Sequence, residues 1–264
     1  MAGRTTAIER LVRPRPNPAA SRMLVCLSYC GGGTSAFRRW AAELDDDVEL
    51  AIVCYPGREG RFTEPFCQDW EALATEVLTA LHSLGGRPFV LFGHSMGAWL
   101  AFDVAARLEQ RGVRGPEALV VSASDAPSRY AAIRDRPPLV TDSDEALRAW
   151  LRRVGQLDEE ILADPDLQQM ALDLLRADMR VSDTYRYMPG VTVRAPMHLL
   201  YGAEDEEPAA EVARRWRLLA AGEFRADVLP GGHFYTEETW AGLPNVMLGV
   251  PTVNPARDPV RSLG

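Results

Sequence analysis

Short apolar runs recur along the chain at 23–28, 50–55, 88–92, 118–123 and 197–201, with a weaker one at 225–229. Each has the length and bounding turn residues of a buried strand. Amphipathic stretches lie between them. Trp70, Leu73, Ala74, Val77, Leu78 and Leu81 fall on one face of a helix predicted over 70–81; a second helix opens after Ser95 and a third spans about 208–221. Strands alternating with helices predict an α/β fold, a mostly parallel sheet flanked by helices on both faces.

The alternation stops between about 124 and 196. Leu147, Trp150, Leu151 and Val154 repeat at helical spacing, as do Leu167, Met170, Ala171, Leu174, Leu175 and Met179, and no strong strand intervenes. Connections in such folds normally take a few residues. Residues 125–195 therefore predict a helical insertion, placed as a lid on a single core built from 1–124 and 196–264. Extra packing helices with no gating role are the alternative.

Composition narrows the class. With 264 residues, 47% apolar and 25% charged, the chain can bury a sizeable core. A net charge of −8 argues against nucleic acid or an anionic membrane as the main partner. No apolar run approaches about 18 residues, the length that spans a membrane. Residues 1–22 lack the apolar core of a secretion signal, so the expected location is the cytoplasm. Cys26, Cys30, Cys54 and Cys67 show neither a C-x-x-C pair nor metal-ligand spacing with histidine, and read as free thiols in a reducing compartment.

The chemistry starts at Gly93-His94-Ser95-Met96-Gly97, a G-x-S-x-G between an apolar strand and a helix. A sharp strand-to-helix turn strains the serine backbone, tolerates only small flanking residues and raises the hydroxyl above the sheet edge. The first helical N–H groups point at the same spot. Ser95 is thus the candidate nucleophile, and a helix-capping serine would not explain two glycines. Such a serine needs a base, itself held by a carboxylate. His94 sits beside Ser95 on the turn with its ring predicted to point away. His82 lies late in a surface helix and His198 within a strand. His233, in a Gly-rich loop after the last strand, is the candidate base. Asp205, after the strand ending at Tyr201, gives the chain order Ser, Asp, His; Asp125, after an earlier strand, is its competitor. Two backbone donors would complete an oxyanion hole: the N–H of Met96, and one from Cys30 or Gly31 in the Gly-rich loop after the first core strand. That loop matches no phosphate-binding fingerprint, and no base is placed to make Cys30 a second nucleophile.

Residues 26–40, 55–65, 93–98, 175–187, 201–208 and 230–235, in order along most of the chain, resemble the type II thioesterases of polyketide and nonribosomal peptide synthases, which are α/β-hydrolases. The P-G-R-E-x-R segment from Pro56 to Arg61 and the R-A-D-x-R-x-x-x-T-Y-x-Y segment from Arg176 to Tyr187 are more specific than the serine motif. The resemblance implies Ser95, His233 and Asp205 as a triad, oxyanion donors from Met96 and Cys30, and lid helices around 143–187. It implies hydrolysis of acyl thioesters on the phosphopantetheine arm of acyl or peptidyl carrier proteins, by a monomer with no cofactor of its own. Arg58 and Arg61 would then either contact the arm's phosphate or pin their loop to nearby acids. A simple-ester hydrolase or an acyltransferase would use the same triad, and a non-catalytic carrier-binding module would not need it. Two departures stand out. The first loop, usually P-H-A-G-G, reads Ser28-Tyr29-Cys30-Gly31-Gly32, and four prolines after Gly242 predict a short or irregular end with disorder past about Pro251.

Overall fold

The computed structural model describes residues 10–129, 138–156, 161 and 163–249. Among them seven strands form one sheet: β1 (Leu11–Val12), β2 (Arg22–Leu27), β3 (Val48–Val53), β4 (Phe89–His94), β5 (Ala118–Ser122), β6 (Met197–Gly202) and β7 (Phe224–Leu229). Their spatial order is β1-β3-β2-β4-β5-β6-β7. Every pair is parallel except β1 with β3, where Leu11 lies opposite Val53. β3, β4, β5 and β6 are buried along their whole length, which is why their sequences are continuous rather than alternating apolar runs. β7, at the edge, is half exposed and correspondingly weaker in sequence.

Alternate side chains divide between the two faces. Met23, Val25 and Leu27 of β2 join a core with α1 (Trp70–His82), α2 (Met96–Gln110) and α5 (Ala209–Arg217). Leu24 and Cys26 face a second core with a 3-10 helix (Thr34–Ala42) and α6 (Glu237–Leu248). The periodicity that predicts α1 is the face it buries, and Asp69 starts the helix by accepting from the Ala72 N–H.

Between β5 and β6 lie α3 (Asp144–Arg153) and α4 (Pro165–Asp183). Ser143 caps the first, while Asp164 with Pro165 at the first helical position starts the second. They share a small apolar cluster of Leu147, Leu151, Leu172, Leu175 and Met179, separate from both sheet cores, with Cys30 against its edge. Parts of the predicted insertion, at 130–137, 157–160 and 162, lie outside the described residues.

α6 corrects the expectation of an irregular end. It runs for 12 residues with Pro244 inside it. An internal proline forfeits one helix hydrogen bond and costs roughly 3 kcal/mol. Here Pro244 is buried with Leu243 and Met247, and Trp40 donates to the Trp240 carbonyl at 2.9 Å, so packing against the second core holds the helix. Pro251 and the tail beyond it lie outside the described residues. No described helix is long and apolar enough to cross a membrane.

Candidate active site

Ser95 is the turn between β4 and α2, with φ 55° and ψ −118°. A left-handed backbone at a residue with a Cβ costs about 1–3 kcal/mol, and the surroundings must enforce it. The Ser95 N–H donates to the Ser122 carbonyl at 2.8 Å, and the Ser95 carbonyl accepts from the Ala98 N–H at 2.9 Å. Both flanking glycines are required. A Cβ on Gly93 would lie 1.9 Å from the Gly97 carbonyl oxygen, and one on Gly97 would lie 2.4 Å from that of Leu27. The second approach brings the end of β2, and the loop that follows it, against the first turn of α2.

His233 lies in the loop between β7 and α6. Its Nε2 is 3.1 Å from Ser95 Oγ, and its Nδ1 is 3.5 Å from Asp205 Oδ2. The second contact is an ion-pair distance, longer than a good hydrogen bond, as acid–base pairs without substrate commonly are. Asp205 reaches His233 because their loops touch. The Glu204 N–H donates to the Gly231 carbonyl at 3.0 Å, and a Cβ on Gly202 would lie 2.3 Å from the Gly232 carbonyl oxygen. Asp205 is also oriented locally, since its Oδ1 accepts from the Glu206 N–H at 2.9 Å.

Asp125 lines the same cavity but is committed elsewhere. Its Oδ1 accepts from Arg215 Nε and from the Ala126 N–H, each at 2.7 Å, and Arg129 Nε stands 3.8 Å from its other oxygen. The two carboxylates that sequence leaves in competition thus have different partners: Asp205 the imidazole, Asp125 a guanidinium.

His94 is fully buried among the rings of Tyr29, Phe234, Tyr235 and Trp240, with its ring centroid 5.4 Å from that of His233. Its Nδ1 is 2.9 Å from Ser122 Oγ, which is 2.7 Å from the Tyr235 hydroxyl. Burial, and then the neighbouring His233, hold the His94 pKa well below the ordinary value. Below about pH 6.5 the unfolded chain therefore binds a proton that the folded chain refuses, and stability falls as pH falls. Urea unfolding between pH 8 and 5.5 is expected to show this loss, at up to about 1.4 kcal/mol per pH unit from this group. His94→Gln is expected to flatten the slope; equal slopes in the two proteins would contradict the assignment. His198 is buried in β6 with Nε2 2.9 Å from Asp227, and His82 is exposed at the end of α1. Neither lines the cavity.

The loop after β2 presents Cys30, whose Sγ is 3.5 Å from Met96 Sδ. Among the described residues, the backbone N–H groups of Cys30 and Met96 have no protein acceptor, whereas the Gly31 N–H donates to Asp178 Oδ2 at 2.8 Å. Burial, and then the Asp178 charge, push the Cys30 thiol up to about 12, so it stays protonated and is no rival nucleophile at neutral pH.

Arg58 and Arg61 turn inward and pin their loop to nearby acids, the second of the two readings the sequence left open. Arg58, 5% exposed, forks onto Asp178 at 2.9 and 2.6 Å and donates to the Gly32 carbonyl at 2.7 Å. Arg61 pairs with Glu64 and Glu76 and donates to the Cys54 carbonyl. Between them Glu59 accepts from Thr34 Oγ1 and from the Ser35 N–H, fastening the start of the 3-10 helix. Asp178 itself, buried on α4, is the residue that sequence reading singled out within a motif without giving it a role.

Ser95, Asp205 and His233 open into a cavity of about 800 Å³, walled by Trp99 of α2, Trp150 of α3 and Ser182 of α4. Arg152, Arg153, Glu206 and Glu207 also line it, giving a mixed-charge wall beside the apolar one. No cluster of three or more metal-binding side chains exists among the described residues.

A family profile described as "Thioesterase domain" matches residues 22–248. The chain belongs to the thioesterase domain family. It is 39% identical over 234 residues to the thioesterase PikA5 of Streptomyces venezuelae, covering 88% of this chain and 80% of that one. It is 36% identical over 230 residues to a probable cadicidin biosynthesis thioesterase of Streptomyces griseus, covering 87% of this chain and 62% of that protein. Among solved structures, the type II thioesterase BorB from the borrelidin biosynthetic cluster shares 37% identity and superposes with a TM-score of 0.78, over 90% of this chain and 97% of that one. This thioesterase is therefore a hydrolase with the α/β-hydrolase architecture of its relatives, and the sheet order, serine turn and cavity above are how this sequence builds it.

Proposed function

We propose that this thioesterase hydrolyses acyl thioesters on the phosphopantetheine arm of acyl or peptidyl carrier proteins, removing stalled or aberrant acyl groups during polyketide or nonribosomal peptide biosynthesis. The observation that carries the reading is Ser95 Oγ 3.1 Å from His233 Nε2 at the wall of a cavity beneath α3 and α4, in a chain several of whose relatives are named for such biosynthetic pathways.

In this mechanism Ser95 Oγ attacks the thioester carbonyl while His233 Nε2 takes its proton. The carbonyl oxygen, now an anion, receives hydrogen bonds from the Met96 and Cys30 N–H groups at the positive end of α2. His233 returns the proton to the departing sulfur, leaving the arm as a free thiol and the acyl group as an ester of Ser95. Water, deprotonated by the same imidazole, then releases the free acid. Asp205 holds the ring orientation and stabilises the imidazolium in both steps. The lid helices supply the acyl chamber, and the phosphopantetheine belongs to the substrate, so no cofactor of the enzyme takes part. With a net charge of −8, docking on an acidic carrier would rely on local contacts rather than long-range attraction.

Intact-mass spectrometry of acetyl-, propionyl- and longer acyl-carrier proteins incubated with the enzyme tests the reading. Loss of the acyl mass to leave the free thiol supports it. Persistence of every acyl group while simple aryl esters are cleaved points to a general esterase, and acyl loss only with an added amine or alcohol points to a transferase.

A further inference from the structure

The peptide unit joining Cys30 to Gly31 is gripped at both ends by side chains from the inserted helices. Its carbonyl, that of Cys30, accepts from Gln156 Nε2 at 2.9 Å, just past the end of α3. Its N–H, that of Gly31, donates to Asp178 Oδ2 on α4 at 2.8 Å. The next carbonyl but one, that of Gly32, accepts from Arg58, which Asp178 in turn holds with both carboxylate oxygens. Three neighbouring backbone groups of this loop are thus fastened by lid side chains or by a guanidinium bound to the lid.

The loop needs that help. Gly31 has φ +76° and no side chain to restrict it, and the backbone bond within the loop from the Gly32 N–H to the Tyr29 carbonyl does not involve the Cys30–Gly31 unit. A peptide unit is planar, so bonds at its two ends fix its rotation as a whole. The Cys30 N–H belongs to the preceding plane, whose Tyr29 carbonyl accepts from the Gly32 N–H at 2.9 Å, so holding the Cys30–Gly31 unit fixes the Cα of Cys30 between two held planes and with it the direction of that N–H.

We propose that Gln156 and Asp178 are positioning residues through which the lid aims the Cys30 N–H into the oxyanion hole, so that the hole is complete only while α3 and α4 are docked on the loop. This rests on the reading of Cys30 as an oxyanion donor. Neither side chain need touch the substrate, and the effect falls on the transition state, because only there does the carbonyl oxygen bear the charge that the N–H must meet. The arrangement makes the lid part of the rate as well as of the chamber. Two separate sequence segments, Pro56–Arg61 and Arg176–Tyr187, thereby meet behind the oxyanion loop, at the pair of Arg58 and Asp178.

The test uses Gln156→Glu, which keeps the shape and removes the donor, and Asp178→Asn, which removes the charge. Each is assayed on a short acyl thioester of N-acetylcysteamine and titrated with an alkyl boronic acid, whose tetrahedral adduct on serine places an oxygen in the oxyanion hole. Gln156→Glu is expected to lower kcat by about 10- to 100-fold, the scale of a displaced oxyanion donor, with KM within about twofold and boronic acid binding weakened in parallel with kcat. Asp178→Asn is expected to act more strongly in the same direction. Should that variant fail to fold by scanning calorimetry, the partly exposed Gln156 decides alone. Unchanged kcat in Gln156→Glu, or a change confined to KM with boronic acid binding intact, would overturn the coupling. A wild-type enzyme that fails to turn over the thioester would overturn the reading of the site itself, and the coupling with it.

Discussion

Replacing Ser95 with alanine is expected to lower turnover of an acyl-carrier protein by roughly 10⁴-fold or more. The expectation follows from position as much as from residue type. The hydroxyl stands 3.1 Å from His233 Nε2, and the φ of 55° that presents it is enforced by Gly93, Gly97 and the bond to Ser122. Alanine fits the same backbone, so the thermal midpoint should move by only a few degrees, the scale of one lost hydrogen bond. The residual rate would be that of the oxyanion hole and binding alone. Turnover within tenfold of wild type would remove Ser95 from the nucleophile role. Cys30 is another nucleophilic side chain lining the cavity, and its raised pKa argues that it would not take over.

The second large effect separates the two carboxylates. Asp205→Asn is expected to cost about 10³- to 10⁴-fold in kcat, because the amide neither stabilises the imidazolium nor selects the tautomer that leaves Nε2 free to take a proton. Asp125→Asn is expected to leave kcat near wild type and lower stability instead, since it breaks the 2.7 Å pair with Arg215 at a site only 8% exposed. Measuring kcat and urea midpoints for both variants decides the matter. The reverse pattern, with Asp125→Asn catalytically damaged and Asp205→Asn near normal, would move the acid to the strand earlier in the chain.

Much of this architecture was legible because it is local. Strands β2 to β6 announce themselves as apolar runs, since burial on both faces removes the polar alternation, while β7, half exposed at the edge, is weaker; α1 and α2 carry their buried faces at helical spacing. The serine turn is legible for the same reason: the glycines that permit it are two residues either side of Ser95. What escaped depends on distant partners. β1 is two residues long and exists only because β3 offers it an edge. The 3-10 helix at Thr34–Ala42 is fastened by Glu59, which sequence does not place beside it. α6 survives Pro244 through contacts with Trp40, two hundred residues away in the chain. Arg58 and Asp178 are separated by 120 positions, so sequence leaves the partner of Arg58 open and Asp178 without a role until the fold buries them together. Asp125 and Asp205 both follow strands that end at one edge of the sheet, so order alone leaves them in competition; Gly202 lets one loop touch that of His233, and Arg215 occupies the other acid.

The most direct measurement is rapid-quench trapping of the enzyme during turnover of a propionyl-carrier protein, followed by peptide mapping of the acylated chain. An acyl mass on the peptide containing Ser95, rising and decaying at rates compatible with turnover and absent from Ser95→Ala, is the expected result. An acyl mass on Cys30 instead, or release of free acid with no acyl-enzyme on Ser95 even when deacylation is slowed, would contradict a Ser95 ester as the intermediate.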